Sequence, residues 1–209
     1  GADVFTGFEN YTLSSNADTA NLSGVFGSTI DGGALSDTAS YSSVAASLTV
    51  TVDSGNTSAT IFDGTKTDTL KNIEKIIGGD GNDTFIVSNV SGINTLDGDG
   101  GTNTLQLSGS LDLSSVTLLN FNNILIANGD TLTLNAVDLS ANNMNITMLG
   151  TGSLIIVSDA SSHDFSNITV TKGTGKVTLD VNINKDISGT NIHNIIDIFD
   201  VASGNSLTL

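Results

Sequence analysis

Cysteine, proline and tryptophan are all missing from the 209 residues, and arginine is missing too, so that every one of the six basic residues is a lysine. Without cysteine, no disulfide can brace the fold, and any covalent-like staple must come from elsewhere. Without proline, no strand loses a backbone donor, which suits strands paired on both sides. Without arginine, the planar fork that grips phosphate and carboxylate is unavailable. A net charge of −16 adds repulsion to that lack, so nucleic acid and anionic membranes are excluded as natural partners. No apolar run approaches the ~20 residues that span a bilayer, and the opening "GADVF" has neither the basic nor the apolar stretch of a leader. The chain also lacks G-x-S-x-G and H-E-x-x-H. His163 and His193 stand 30 residues apart with no cluster around them, and a structural role suits both. Catalysis is therefore not expected.

What is present is aspartate, glycine and short alternation. Of the 22 acidic residues only Glu9 and Glu74 are glutamate, leaving 20 aspartates beside 23 glycines. Aspartate favours turns and oxygen cages for hard cations, whereas a helical acidic protein would favour glutamate. The 38% hydrophobic content supports a folded core. Much of it lies in triplets such as Leu105-Gln106-Leu107, Leu111-Asp112-Leu113, Leu132-Thr133-Leu134 and Val177-Thr178-Leu179, the two-residue period of a strand. No long 3.6-residue stripe competes. Triplets this short cannot make an independent sheet, but stacked coils at ~4.8 Å bury them as one column. The fold class expected is all-β, a right-handed parallel β-solenoid of the β-roll or β-helix kind with Asp/Gly-rich turns. A β-sandwich is the alternative.

Two repeats support the solenoid. One is G-x-[DN]-[TV]-[FL], at Gly1, Gly81, Gly92 and Gly101, with degenerate relatives at Asp31 to Ala39 and Asp63 to Leu70. The other opens strands: "FENY" at Phe8, "IEKI" at Ile73, "FNNI" at Phe121, "FSNI" at Phe165 and "IHNI" at Ile192. The first repeat crowds residues 1–107, read as a calcium-binding portion, and thins over 108–209, read as a continuing β-helix with few such turns. Because "GADVF" reads as the second half of a repeat, the chain is expected to be a segment of a longer one.

One stretch is complete. "GGDGNDTFI", Gly78 to Ile86, fills every position of the nonapeptide G-G-x-G-x-D-x-U-x. Calcium takes ~6 to 8 oxygens from carboxylates and carbonyls, and glycines let successive carbonyls converge. One turn cannot surround the ion, so a second turn on the same side must help. The best partner starts at Gly98, 20 residues on. Asp83 is the foremost ligand candidate, with Gly79, Asp80, Gly81, Asp97, Asp99 and Asn103 around it. Asn94 and Asn103 replace the expected aspartate, which weakens attraction for a cation, so one or two sites are expected. Asp31, Asp37, Asp63 and Asp68 are further candidates, a solvated turn being the other reading of each. The run Asp80 to Thr84 also fits a bacterial glycosylation sequon, although the turn motif accounts for the same residues.

The nonapeptide, its offset relatives and the phrase "DTLKNIEKIIGGDGNDTF" resemble the repeats-in-toxin family of secreted bacterial proteins, surface-layer and adhesin members included. The resemblance is sharp over 63–107 and faint elsewhere. It implies calcium between the turns of successive coils, export by a one-step (type I) secretion system, and folding outside the cell. The function it implies is a calcium-stabilised structural module of a cell-surface protein, foremost a surface-layer subunit that self-associates into a lattice. An adhesin stalk, or the non-catalytic calcium module of a secreted toxin or hydrolase, are the alternatives.

Overall fold

The computed structural model describes residues 2–5, 10–53, 59–158, 168–185, 191–199 and 206–208. Gly1, Phe8, His163, Phe165 and Gly204 lie outside them, while His193 falls in the strand Asn191–Phe199. Among the described residues the fold is a β-solenoid built from stacked parallel strands. Two compact units divide it, Gly1–Gln106 with Val116–Phe121, and Leu107–Ser115 with Asn122–Leu209.

In the first unit, one sheet stacks Ala2–Phe5, Thr19–Leu22, Thr38–Ser40, Lys75–Ile77, Thr95–Asp97 and Thr117–Leu119, all in parallel. Facing residues recur along the chain with the coil length: Ala20 pairs with Ala39, and Ile76 with Leu96 and then Leu118. Each is fully buried, as the alternating pattern requires. The opposite face runs Asn10–Thr12, Thr29–Asp31, Thr67–Lys71, Ala59–Phe62, Thr49–Val52, Thr84–Val87 and Thr104–Leu107. Its inner side contributes Ile30, Leu70, Ile61, Val50, Phe85 and Leu105, all buried. Phe85 meets Phe121 edge to face at 5.0 Å, a pair worth about 1 kcal/mol beyond its buried area.

This second face departs from the purely parallel expectation. Between Thr49 and Lys71 the chain folds as an antiparallel meander, so that one coil supplies three strands where its neighbours supply one. Thr49–Val52 pairs in parallel with Thr84–Val87, and Thr67–Lys71 in parallel with Thr29–Asp31, so the meander is spliced into the stack at both edges. Asp63, read in the sequence as a candidate ligand or a solvated turn, sits at the tip of the second hairpin. Its Oδ1 accepts from the backbone of Thr65 and Lys66, both at 2.8 Å, a side-chain-closed turn.

In the second unit, Asn123–Ile126, Asn145–Met148 and Thr169–Lys172 stack in parallel, and so do Leu111–Asp112, Thr131–Asn135, Ser153–Ser158 and Val177–Lys185. Ile124 pairs with Ile146 and Ile146 with Val170, so these coils take 22 and 24 residues, against 19 from Ala20 to Ala39 and 20 from Ile76 to Leu96 in the first unit. Between Asn123 and Lys172 no six-residue segment begins with glycine and ends in Asp or Asn. A six-residue helix, Ala136–Ala141, is the one element of another kind among the described residues. The Asn135 side chain accepts from Val137 N at 2.9 Å to start it, and it buries Ala136 and Leu139.

Candidate functional site

Three six-residue turns of the first unit begin with glycine and end in Asp or Asn: 32–37, GGALSD; 78–83, GGDGND; and 98–103, GDGGTN. In each, the last residue is almost wholly buried, Asp37 and Asn103 at 0% exposure and Asp83 at 1%. The first glycine has no room for a side chain. A Cβ on Gly78 would stand 2.5 Å from Asp83 Oδ2 and 2.9 Å from Gly98 O, and one on Gly98 would stand 2.6 Å from both Asn103 Nδ2 and Asn120 O. Gly32 is blocked likewise by Asn72 O and Asp37 Oδ2. Glycine is thus required by close approach of the next coil and of its own turn's last side chain.

That last side chain continues the sheet ladder by one rung. Asp37 Oδ1 accepts from Asp18 N at 2.7 Å, Asp83 Oδ1 from Leu48 N at 2.7 Å, and Asn103 Oδ1 from Asp83 N at 2.9 Å. For Asp37 and Asp83 the donor holds the matching place one rung earlier, just before a threonine in register with its own: Thr38 with Thr19, and Thr84 with Thr49. Asp68 does the same from inside a strand and takes three donors on Oδ1, Phe26, Gly27 and Ser28 N at 3.0, 2.8 and 2.8 Å. Its Oδ2 accepts from the Tyr41 hydroxyl at 3.0 Å. Burial, reinforced by this carboxylate, raises the Tyr41 pKa well above the usual phenol value and keeps the proton on the ring oxygen.

The three turns differ at their second residue. Gly79 has no left-handed φ, and its N–H points inward to Asp83 Oδ2 at 2.7 Å. Gly33 and Asp99 are left-handed, at φ 94° and 58°, and their N–H groups point back to Asp31 Oδ1 at 3.2 Å and Asp97 Oδ1 at 3.0 Å. The same two aspartates accept from left-handed asparagines of the following coil, Asp31 from Asn72 Nδ2 and Asp97 from Asn120 Nδ2, each at 2.7 Å. The full nonapeptide match is therefore the one turn of the three without a left-handed residue. Its glycines serve packing instead, Gly79 against Val44 O and Gly81 against Ala46.

Turns 78–83 and 98–103 stack as the 20-residue spacing predicts. Gly78 N donates to Asp97 O at 2.8 Å, Gly100 N to Gly79 O at 3.1 Å, and Thr102 N to Asn82 Oδ1 at 2.7 Å. Stacking brings Asp80, Asp97 and Asp99 together on the outer side. Burial first, then the charges of Asp97 and Asp80, raise the Asp99 pKa, and no ion pair reaches any of the three among the described residues. Asp83 is a different kind of group: burial raises its pKa, opposed by the N–H groups of Gly79 and Leu48. Among the described residues, no three His, Asp or Glu side chains converge tightly enough to hold a metal ion. By donor chemistry the fit to a hard cation lies with Asp80, Asp97 and Asp99, completed by carbonyl or water oxygens. Asp31, Asp37, Asp63 and Asp68 lie elsewhere, each engaged by the backbone and side-chain bonds described above.

Sequence reasoning passed over Tyr41, Glu74, Asn72 and Asn120. Glu74 Oε2 accepts from Asp37 N at 2.7 Å. The two asparagines carried a readable signal, since each directly follows a strand and asparagine tolerates the left-handed corner. Compared with known proteins, the chain matches no family model, and no curated protein or solved structure is significantly similar to it.

Proposed function

We propose that this chain is a structural solenoid segment of a secreted bacterial surface protein, most simply a surface-layer subunit, and that calcium binds on the stacked turns 78–83 and 98–103. The observation that carries the reading is the crowding of Asp80, Asp97 and Asp99 with no ion pair to any of them among the described residues, which a divalent ion would relieve. The sequence resemblance to calcium-binding repeats points the same way, and so does a repetitive, glycine-cornered stack. Asp80, Asp97 and Asp99 supply the negative charge that draws the ion to the outer side of these turns, with carbonyl and water oxygens completing its shell. Asp83 acts from behind, fixing the turn that presents Asp80. Calcium would neutralise part of the −16 charge and, by binding only the folded form, add RT ln(1 + [Ca]/Kd), about 2.7 kcal/mol at ~100-fold excess over Kd.

Calorimetric titration of calcium into wild type and Asp99→Asn tests the site. Loss of one charged oxygen should weaken binding by about tenfold or more. Identical isotherms would remove the site. Electron microscopy of the full secreted protein, with and without chelator, tests the lattice role separately: ordered arrays that disperse on chelation are expected. A monomeric rod under both conditions would favour the adhesin-stalk reading.

A further inference from the structure

We infer that Asp37 is a neutral carboxylic acid in the folded protein, its Oδ2–H donating to the carbonyl of Asn72, so that this coil is closed by an acid proton where the equivalent coil uses an amide. The three turns supply the reasoning. Each terminal side chain uses Oδ1 to accept the rung from the preceding coil. What the second atom meets depends on the turn's second residue. In turn 78–83 the Gly79 N–H faces inward, an acceptor is wanted, and the residue is aspartate. In turn 98–103 the Asp99 N–H faces away, carbonyls are left pointing at the side chain, and the residue is asparagine, whose Nδ2 donates to Gly100 O at 2.8 Å and Asn120 O at 3.0 Å.

Turn 32–37 has the backbone of the second kind and the side chain of the first. Gly33, like Asp99, is left-handed and sends its N–H to the aspartate two residues back. Asn72, like Asn120, is the left-handed residue of the next coil, and its carbonyl stands with Asp37 Oδ2 at the face of Gly32, as Asn120 O stands with Asn103 Nδ2 at Gly98. Asp37 Oδ2 is fully buried and has no hydrogen-bond partner among the described residues. Both oxygens crowd the place a Gly32 Cβ would take, as Asn103 Nδ2 and Asn120 O do at Gly98, and a proton on the carboxyl would join them as the amide joins that pair.

The carboxylates set against the group favour that proton. Asp18 from the preceding coil and Asp31 from the preceding strand are both acidic, and Glu74 from the following coil already spends Oε2 on the Asp37 amide. Lys75 and Lys71 on the adjoining strands form no ion pair with it among the described residues; Lys75 contributes its backbone N–H to Asp37 O at 3.0 Å. Burial, the largest influence, raises the Asp37 pKa; the N–H of Asp18 opposes it, and the charges of Asp18 and Asp31 add to the rise.

The test is Asp37→Asn, which installs the solution that turn 98–103 already uses. With chelator present throughout, thermal unfolding is followed from pH 4 to pH 8. A group whose folded pKa is raised stabilises below its unfolded value and loses that contribution as pH rises through the folded value. The variant should therefore match wild type near pH 4 and exceed it by a growing margin, a few degrees, toward pH 8. A variant less stable than wild type at pH 8, or a margin that does not change with pH, would overturn the inference. Should the variant not fold, infrared spectra of the wild type settle it. A protonated-carboxyl C=O band persisting at pH 6 and disappearing on alkaline titration supports the acid; no such band at pH 6 refutes it.

Discussion

Turns 78–83 and 98–103 lie one above the other, share a glycine start and differ at the end by one atom, the Asp83 oxygen against the Asn103 nitrogen. That difference follows the backbone. Where the second residue keeps an ordinary φ, its N–H enters the turn and a carboxylate receives it. Where the second residue is left-handed, as Asp99 is, the N–H leaves and the side chain must donate to the carbonyls, as the Asn103 amide does. Aspartate and asparagine at this position each answer the backbone of their own turn. They are complementary solutions to the donors and acceptors each turn leaves unpaired.

The comparison can be broken most severely at Asp83. Asp83→Ala strands the buried N–H groups of Leu48 and Gly79 and should cost about 2–4 kcal/mol by chemical denaturation with chelator present. An unchanged midpoint would mean the cap is ornamental. Next comes Gly98→Ala, whose methyl would meet Asn120 O and Asn103 Nδ2 at 2.6 Å and should cost about 3 kcal/mol, with no relief from calcium. Asn103→Asp is gentler and more pointed. It sets a carboxylate against two carbonyls, so roughly 1–3 kcal/mol should be lost at pH 8 and much of it recovered near pH 4, where the new acid is protonated.

The wild-type pH dependence sharpens the same point. Burial raises the pKa of both Asp37 and Asp83, so their favourable share is complete below the unfolded carboxyl value of ~3.9 and declines as pH climbs through their folded values. Chelated protein should unfold at a higher temperature near pH 5 than at pH 8. The smallest effect is expected at the hairpin tip. Hydrogen bonds from Lys66 and Thr65 lower the Asp63 pKa, but the group is exposed, and Asp63→Ala should shift stability by no more than about 0.5 kcal/mol.

Much of this architecture is legible in the residues. The triplets around Leu105, Leu132 and Val177 specify strands, and the 20-residue recurrence of glycine turns specifies coils that stack in register. The meander at Thr49 to Lys71 is not legible from that period, because Thr60 and Thr69 alternate in an antiparallel hairpin just as they would in a coil, and "DGTKTD" closes either kind of turn. The role of Asp83 is harder still. The nonapeptide pattern gives the spacing of the aspartate but not the way its carboxylate faces, which depends on whether Gly79 N–H turns inward. Asp68 looks like a turn residue in the sequence; only the fold sets Tyr41 and three N–H groups around it.

The central claim is that buried Asp and Asn side chains, rather than calcium, close the coils at their corners. Amide hydrogen exchange of the wild-type protein in excess chelator tests it most directly, read at Asp18, Ser28, Leu48 and Asp83, whose N–H groups point at Asp37, Asp68, Asp83 and Asn103. Those four amides should exchange as slowly as the adjoining strand amides, such as Thr84 and Thr104. Fast exchange at all four without calcium, with protection appearing only when calcium is added, would contradict the account.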